Sequence, residues 1–395
     1  MKLFSSVNSY LGVDIGTASV KIVELENYKG QAKLKTYGYA DINTNILRAS
    51  TEKNNQLIAD YIKFITKKSR MESRQAIAAL PTFSVFTSII SLPPMPKKDL
   101  ASAIKWEAKK FIPLPIEEMI LDWKILNKKD FGTDKSDASQ QKVGGIFTKK
   151  DSVEPNLTKN EDDTVDDKKK PATQDEVVGR DSVANKSYRI LLTAAPKNLV
   201  SRYLDIFKRT GLNLVSLETE AFALSRALMG NDPSSVMIVD IGSNNTDICV
   251  IEEGVPILNR GIDSGGQVIT QAIMNSMNVN VDRAEQFKRD FGLNVAGNRS
   301  VPNTIQNALN PIISEIKYVF DLYQRQGDAR IEKIILAGGS SFLPNLPQYL
   351  SQLLQLPVII GDPWDRIIYP LDLKPVLAEI GPRMAASIGL AMRDI

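Results

Sequence analysis

Hydrophobic and polar residues follow two different periods along the chain, and the changes of period predict strands and helices in turn. Apolar runs within residues 10–25 flank a polar turn at residues 16–19, which predicts a β-hairpin with Asp14 at its mouth. Residues 54–68 repeat apolar side chains at helical spacing, which predicts an amphipathic helix. Further strands are predicted at 76–80, 84–92, 119–126, 188–195, 212–217, 236–240, 247–252 and 331–336. Further helices are predicted at 97–110, 197–207, 219–229, 265–277, 281–289, 305–325 and 385–392.

The second half of the chain repeats the plan of residues 10–25. A continuous apolar run at 236–240 leads into a polar turn that contains Gly242, and a second apolar run follows at 247–252. Because strands and helices alternate around both hairpins, the pattern predicts the α/β class and a weak internal duplication into two lobes. A length of 395 residues also fits two or more lobes better than one compact core.

One long segment departs from this pattern. Residues 127–187 are dominated by Lys, Asp, Ser and Asn and contain few large apolar side chains. Such a composition cannot offset the entropy of ordering through burial. We therefore predict that residues 127–187 form a mostly disordered loop.

The composition excludes several classes of chemistry. The chain has no histidine, which excludes Ser-His-Asp and Cys-His catalysis and every metal site with an imidazole ligand. A single cysteine, Cys249, excludes an internal disulfide and a Cys-rich zinc site and fits a reducing compartment. The net charge of +3 is too small to indicate a nucleic-acid partner. Without a long apolar run, we expect a cytoplasmic protein that is neither exported nor membrane-spanning.

The two Asp-Ile-Gly hairpins carry the candidate chemistry. Each places an acid, Asp14 or Asp240, at the end of a buried strand, beside a turn whose backbone N–H groups can bind a phosphate. Carboxylates can serve such a site by holding a hydrated Mg²⁺. Lys21, on the returning strand, can reach a phosphate oxygen, and Thr17 adds a hydroxyl donor. The alternative is that each motif is an ordinary strand end followed by a turn, since Asp and Gly are common turn residues.

A third feature is the strand at 331–336, which ends in Gly338, Gly339 and Ser340. Glycines at such a turn let the backbone lie against a base or ribose. In order and separation, these three segments resemble the two phosphate loops and the adenosine loop of the actin/Hsp70/sugar-kinase ATPase superfamily. Within it, residues 11–25, 80–81, 106–108, 194–197, 211–212, 220–224 and 284–289 closely resemble the PilM family of type IV pilus assembly proteins, which is related to the cell-division protein FtsA.

The resemblance covers nearly the whole chain except the insertion, and it implies an actin-like (ribonuclease H-like), two-lobed ATPase fold with an FtsA-like inserted subdomain. The implied boundaries are 1–75 and 196–232 for the first lobe, 76–195 for the inserted subdomain and 233–395 for the second lobe. The resemblance also implies the cofactors ATP and Mg²⁺. Here the long charged insertion departs from the family, whose members usually have a short strand connection at that place.

The resemblance implies a role for each candidate site residue. Asp14 and Asp240 would hold Mg²⁺ through water, and Lys21 and Thr17 would contact phosphate. The turns would contribute Gly16, Ala18, Gly242, Ser243 and Asn244. Gly265 and Gly266 would lie near the ribose, Glu285 and Lys288 would border the base and ribose, and Gly338, Gly339 and Ser340 would lie on the adenosine. Glu220 would orient the attacking water. Each of these assignments has an alternative from the residues alone. Glu220 also fits an acid at the start of a helix, and Glu285 with Lys288 fits a solvated helix face. Gly265 and Gly266 also fit a turn that leads into a helix.

The function implied by the resemblance is a cytoplasmic ATP-binding scaffold of the type IV pilus machinery, peripheral to the inner membrane. Its implied partners are the N-terminal cytoplasmic tail of the membrane protein PilN and other components of the inner-membrane platform, and self-association stays open. Phe83, Phe86, Trp106, Phe111 and Trp123 would line the partner groove, although aromatic residues at such spacings are more often core.

Two alternatives remain open. A division filament protein of the FtsA type would anchor through a terminal amphipathic helix, and residues 387–395 are shorter than such an anchor. A small-molecule kinase on the same fold would need a base beside an acceptor hydroxyl, for which no clear motif is evident. In the scaffold interpretation, ATP acts mainly as a clamp between the lobes, and weak ATPase activity is left open.

Overall fold

A computed structural model describes residues 9–42, 50–126, 145–148, 187–294, 300–325 and 330–395. The strands are β1 (Ser9–Ile15), β2 (Ser19–Tyr28), β3 (Gln31–Asp41), β4 (Gln75–Leu80), β5 (Phe86–Leu92), β6 (Met119–Ile125), β7 (Gly145–Thr148), β8 (Tyr188–Pro196), β9 (Asn213–Thr219), β10 (Val236–Ile241), β11 (Thr246–Glu252), β12 (Val255–Ile262), β13 (Lys333–Ala337) and β14 (Val358–Ile360). The helices are α1 (Glu52–Lys68), α2 (Lys97–Ala108), α3 (Lys197–Thr210), α4 (Glu220–Leu228), α5 (Gly266–Met277), α6 (Val281–Asp290), α7 (Ser300–Gln324), α8 (Leu346–Leu354) and α9 (Lys374–Ala391).

The two large sheets share one plan, which confirms the internal duplication. The first has the order β3-β2-β1-β4-β9-β7 and the second the order β12-β11-β10-β13-β14. In each sheet, three antiparallel strands form a meander. Its first strand pairs in parallel with a fourth strand, which in turn pairs in parallel with a fifth, as in β1-β4-β9 and β10-β13-β14. Each lobe therefore presents the turn of its first hairpin at the same edge of its sheet.

The first-lobe core forms where the apolar faces of α1 and α3 cover the sheet. Thr51 caps α1 by accepting a hydrogen bond from the Asn54 N–H, and Ile58, Ile62 and Ile65 face the sheet, as the helical spacing predicts. Helix α3 ends at Gly211, whose φ of 75° allows the left-handed turn that stops a helix. This packing fixes the hairpin of β1 and β2 against a rigid layer.

Three strands form the inserted subdomain, in the order β5-β8-β6, and helix α2 covers them. Strand β4 lies instead between β1 and β9 of the first sheet, so the predicted boundary at residue 76 is wrong and the subdomain begins after Leu80. Of the five aromatic residues, Phe86 and Trp123 pack against the subdomain core, whereas Phe83, Trp106 and Phe111 are exposed.

The predicted disordered loop at 127–187 overlaps the described residues only at 145–148 and 187. Residues 145–148 form β7, a short ordered strand within the predicted loop that pairs antiparallel with β9 at the edge of the first sheet. The rest of that prediction lies outside the described residues.

The end of the chain returns to the first lobe, which corrects the predicted second-lobe boundary of 233–395. Trp364 is buried in a cluster with Val23 and Leu25, and the Leu34 N–H donates to the Ile368 carbonyl at 2.9 Å. Helix α9 begins 11 residues before the predicted start at 385 and lies on β1, where a Cβ at Gly12 would overlap the Ser387 backbone. No helix in the described ranges is long and apolar enough to cross a membrane.

Candidate functional site

The two hairpin turns face each other across a cleft between the lobes. The first hairpin contributes Asp14, Gly16, Thr17, Ala18, Ser19 and Lys21 to the lining of the cleft, and the second contributes Asp240, Gly242, Ser243, Asn245 and Asp247. Glu220 at the start of α4 and Ala386 of α9 complete the lining. The structure thus brings residues of both predicted phosphate turns, both predicted metal acids and the predicted catalytic acid to one cavity.

The turns have matching geometry. The Gly16 N–H donates to the Ser19 carbonyl and the Gly242 N–H to the Asn245 carbonyl, both at 2.9 Å. Asp14 lies opposite Lys21 in the first hairpin, and Asp240 lies opposite Asp247 in the second. The same position across the ladder therefore carries a base in one lobe and an acid in the other.

Lys21 neutralises the negative charge of Asp14 on the first-lobe side of the cleft. Its Nζ lies 2.7 Å from Oδ2 of Asp14, which is buried, and the Lys21 side chain is itself largely shielded from solvent. Burial by itself would lower the pKa of Lys21, but Asp14 and the more distant Asp240 outweigh burial, so the pKa lies above its usual value. Lys21 is therefore a fixed positive charge at the mouth of the first hairpin, where the turn N–H groups also favour an anion.

Asp240 is the acid that fits a cation. Burial, together with repulsion by Asp14, raises its pKa to about 6 despite the attraction of Lys21. Among the described residues, its carboxylate accepts no hydrogen bond, whereas Asp14 is already paired. Mg²⁺ prefers oxygen ligands and keeps several waters while using one or two carboxylates, so Asp14 and Asp240 fit the hydrated ion. The described residues contain no cluster of three or more side chains that could hold a metal directly.

Thr17 and Asn245 join the two turns directly. The Thr17 hydroxyl donates to Oδ1 of Asn245 at 3.0 Å, and Nδ2 of Asn245 donates to Oδ2 of Asp247 at 2.6 Å. The resemblance implies Asn244 for the second turn, but the residue that lines the cleft is its neighbour Asn245. Asp247 was missed altogether, although its spacing from Asp240 equals that of Lys21 from Asp14.

Glu220 and Asp247 form an acid pair at the back of the cleft. Both carboxyl groups line the cleft, and Oδ1 of Asp247 is buried without a hydrogen-bond partner among the described residues. Burial and repulsion by Asp247 raise the pKa of Glu220 well above its usual value, and burial with the charge of Asp240 raises that of Asp247 to about 7. A protonated Glu220 can orient a water molecule by hydrogen bonding but cannot take a proton from it.

These raised pKa values predict how stability depends on pH. Asp240, Asp247 and Glu220 stay protonated to higher pH in the folded chain than in the unfolded chain, so the folded state binds more protons between about pH 4 and 7. Their contribution therefore destabilises the fold as pH rises, and Asp240 and Asp247 alone account for roughly 3 kcal/mol between about pH 5.5 and 8. Urea unfolding across this range measures the slope. The variant Asp247→Asn should flatten it, and an equal slope in this variant would contradict the assignment.

The predicted ribose and adenosine residues cluster beside the second turn. The N–H of Gly266 donates to the Gly242 carbonyl at 2.9 Å, and a Cβ at Gly265 would come within 2.7 Å of the same oxygen. The Ser340 hydroxyl also donates to Gly242, at 3.3 Å. Lys288 contacts Glu285 at 3.0 Å and the Gly266 carbonyl at 3.1 Å. These residues adjoin the cleft but are not part of its lining around the phosphate turns.

The strand-end glycines behave differently from each other. Gly338 has a φ of +80°, and a Cβ there would overlap Asp240 and Ile241, so a glycine is required at this position. Its N–H donates to the Pro382 carbonyl of α9 at 2.9 Å. Gly339 faces open space, since no atom lies within 4 Å of a Cβ built there. A 3₁₀ turn, Gly339–Phe342, begins at the second of these glycines, and helix α8 begins only at Leu346.

Two lobes with the same sheet plan, each carrying an acid-ended hairpin toward a shared cleft, define an actin-like ATPase fold. The sequence model of the family described as type IV pilus assembly protein PilM matches residues 12–162 and 175–395. The chain belongs to this family. Both the resemblance and the fold class predicted from the sequence are thereby confirmed.

Solved structures agree with this fold. The PilM-PilN type IV pilus biogenesis complex superposes with a TM-score of 0.73 at 23% identity, over 97% of this chain and 98% of that one. The ethanolamine utilization protein EutJ from Carboxydothermus hydrogenoformans gives a TM-score of 0.50 at 16% identity, over 97% of this chain and 89% of that one. At these identities the similarity shows the shared fold.

Relatives by sequence include cell-division proteins. FtsA of Neisseria meningitidis is 24% identical over 199 residues, which are 44% of this chain and 48% of FtsA. FtsA of Enterococcus faecalis is 21% identical over 335 residues, which are 82% of this chain and 68% of FtsA. The match spans about half the length of the Neisseria meningitidis and Bacillus subtilis FtsA proteins.

Proposed function

We propose that this protein binds Mg·ATP in the interlobe cleft and acts as a cytoplasmic scaffold in type IV pilus assembly. The observation that carries the proposal is the pair of facing turns with Lys21 held between Asp14 and Asp240. Free turn N–H groups and Lys21 bind the phosphates, and Asp14 and Asp240 hold the hydrated Mg²⁺, which neutralises phosphate charge when bound. Gly265, Gly266, Glu285, Lys288, Gly338, Gly339 and Ser340 border the ribose and base.

The proposed partner is the N-terminal cytoplasmic tail of a PilN-like membrane protein, received by the inserted subdomain. Support comes from family membership and from the similarity to the chain in the PilM-PilN complex. Through this tail the protein would lie at the inner membrane without spanning it and would connect PilN to the other platform components. Because ATP contacts both lobes, it favours the closed arrangement, and a tail that prefers this arrangement binds more tightly when ATP is present.

Glu220 would give at most slow hydrolysis. Its carboxyl group lies in the cleft, and burial with the charge of Asp247 raises its pKa well above the usual value, so when protonated it can position the attacking water but is a poor base. ATP would therefore be retained intact for much longer than in an enzyme that turns over rapidly, which suits a clamp.

Nucleotide retention tests the proposal directly. Purified protein is incubated with ATP and Mg²⁺, and bound nucleotide and released phosphate are counted in the same samples. We expect about one intact ATP per chain and an affinity for the PilN-like tail that is about 5-fold or more higher than without nucleotide. A chain that binds no ATP, or a tail affinity that is the same with and without ATP, would contradict the clamp.

A further inference from the structure

A chain of polar side chains leads from the first turn to the root of the inserted subdomain. It starts at the Thr17 hydroxyl, which donates to Asn245, and continues from the Asn245 amide to Asp247. Asp247 and Glu220 both line the cleft, where the charge of Asp247 acts on Glu220, and Oε2 of Glu220 accepts from the Thr82 hydroxyl at 3.2 Å. Thr82 stands only two residues after β4, where the chain leaves the first sheet.

Each link in this path depends on the orientation of the previous one. Thr17 has a single hydroxyl proton, and it points that proton at Oδ1 of Asn245. The amide of Asn245 can then present only its NH₂ group to Asp247. A phosphate that accepted the Thr17 proton would leave Oδ1 of Asn245 without its donor, and the amide would be free to turn.

The segment around Thr82 is held by both lobes. The neighbouring Phe83 lies against β12, since a Cβ at Gly261 would be 3.7 Å from the Cβ of Phe83. The same Cβ would be 3.0 Å from Oδ1 of Asp247, so Gly261 separates Asp247 from Phe83. Farther along, Val85 packs against the first-lobe core and Ile89 against the second-lobe core. A relative movement of the lobes must therefore move this segment.

We propose that Thr82 is a positioning residue through which nucleotide in the cleft sets the orientation of the inserted subdomain. The inference rests on the proposed nucleotide-binding function and adds the route by which it reaches the subdomain. Thr82 does not line the cleft, so its hydroxyl does not contact nucleotide. The hydroxyl instead follows the orientation of Glu220, to which it donates, and through Glu220 that of Asp247. The movable element is the 3₁₀ turn Thr82–Ser84, which both lobes hold and from which β5 departs.

Hydrogen exchange on the full chain tests the inference, with Mg²⁺ and the non-hydrolysable analogue AMPPNP as the probe. Wild type should exchange about 5-fold more slowly in β5 and α2 when the analogue is bound. Thr82→Val keeps the shape of the side chain and removes the hydroxyl donor. The affinity of this variant for the analogue should lie within about threefold of that of wild type. Hydrogen exchange in β5 and α2 should no longer slow when the analogue binds. Thr82→Ser keeps a hydroxyl and should again show the slower exchange in β5 and α2.

Thr87→Val is the matched control, because it makes the same substitution in β5 of the same subdomain and should keep the wild-type response. Thr82→Ala serves as a second variant should the valine disturb folding. A full response in both Thr82→Val and Thr82→Ala would overturn the inference while leaving the proposed function intact. If wild type itself does not bind the analogue, the proposed function fails, and the inference fails with it.

Discussion

Replacing Lys21 by methionine is expected to lower ATP affinity about 100-fold, because a charge-assisted contact to phosphate is lost. The same change should also lower the free energy of unfolding by about 3 kcal/mol, since Asp14 would stay buried without its partner. Isothermal titration with Mg·ATP measures the first effect and urea unfolding the second. Methionine keeps most of the apolar length of the lysine side chain, so the loss is mainly one of charge.

A double variant separates the two effects. Asp14→Asn combined with Lys21→Met removes both partners of the buried pair, and stability should return to within about 1 kcal/mol of wild type. ATP affinity should remain low, because neither the cation nor the acid is restored. As a control, Lys33→Met removes a lysine from the more exposed ion pair with Glu26 and should change neither property appreciably. Wild-type ATP affinity in Lys21→Met would remove Lys21 from the phosphate site.

Replacing Asp240 by asparagine should have opposite effects on stability and on function. Above about pH 6 the folded chain holds an Asp240 carboxylate that burial and Asp14 disfavour, whereas the unfolded chain solvates it freely. The neutral amide removes this cost, so the free energy of unfolding should rise by about 1–3 kcal/mol at about pH 7.5. The gain should vanish at about pH 4, where the wild-type carboxyl group is protonated in the folded chain.

The same variant should lose the contribution of Mg²⁺ to ATP binding. In wild type we expect Mg²⁺ to raise ATP affinity about tenfold over EDTA, and in Asp240→Asn this difference should disappear while affinity in EDTA stays close to that of wild type. Titrations with and without Mg²⁺ measure both values. An unchanged Mg²⁺ effect in Asp240→Asn would show that this carboxylate does not serve the ion.

Asp14→Asn provides the matched comparison at the other strand end. It should also weaken the Mg²⁺ effect, but it should destabilise the fold, because Lys21 would lose the carboxylate 2.7 Å away. The two acids thus have the same proposed role and opposite expected effects on stability. A gain of stability in Asp14→Asn would show that the ion pair with Lys21 does not hold in solution.

Much of the site could be predicted because its determinants are local. Asp14, Lys21 and the turn between them lie within one hairpin, and the same pattern recurs at Asp240. Turn residues and alternating apolar positions specify such a hairpin without reference to the rest of the chain. Asp247 stands at the same spacing from Asp240 as Lys21 does from Asp14. This repeat does not by itself mark Asp247 as a site residue, because the second hairpin carries an acid where the first carries a base.

Other residues depend on contacts between distant segments. Asn245 takes part in the cleft because it meets Thr17, which lies 228 positions away in the sequence. Thr82 has an ordinary turn sequence around it, and only the approach of Glu220 gives its hydroxyl a role. No periodicity along the chain marks either residue, since side chains from separate elements meet only after the sheets have packed.

The amino-acid sequence by itself determined the family, the α/β class, the duplicated hairpins and both strand-end acids, because turn chemistry and hydrophobic period act over a few residues. Tertiary structure alone decided that β4 belongs to the first sheet, that β7 extends it and that α9 returns to cover it. Pro375 and Pro382 obscure α9 in the sequence, and its packing on β1 and α4 holds it as one helix. Apolar faces pair with whatever surface buries them best, and that choice is made between segments hundreds of residues apart.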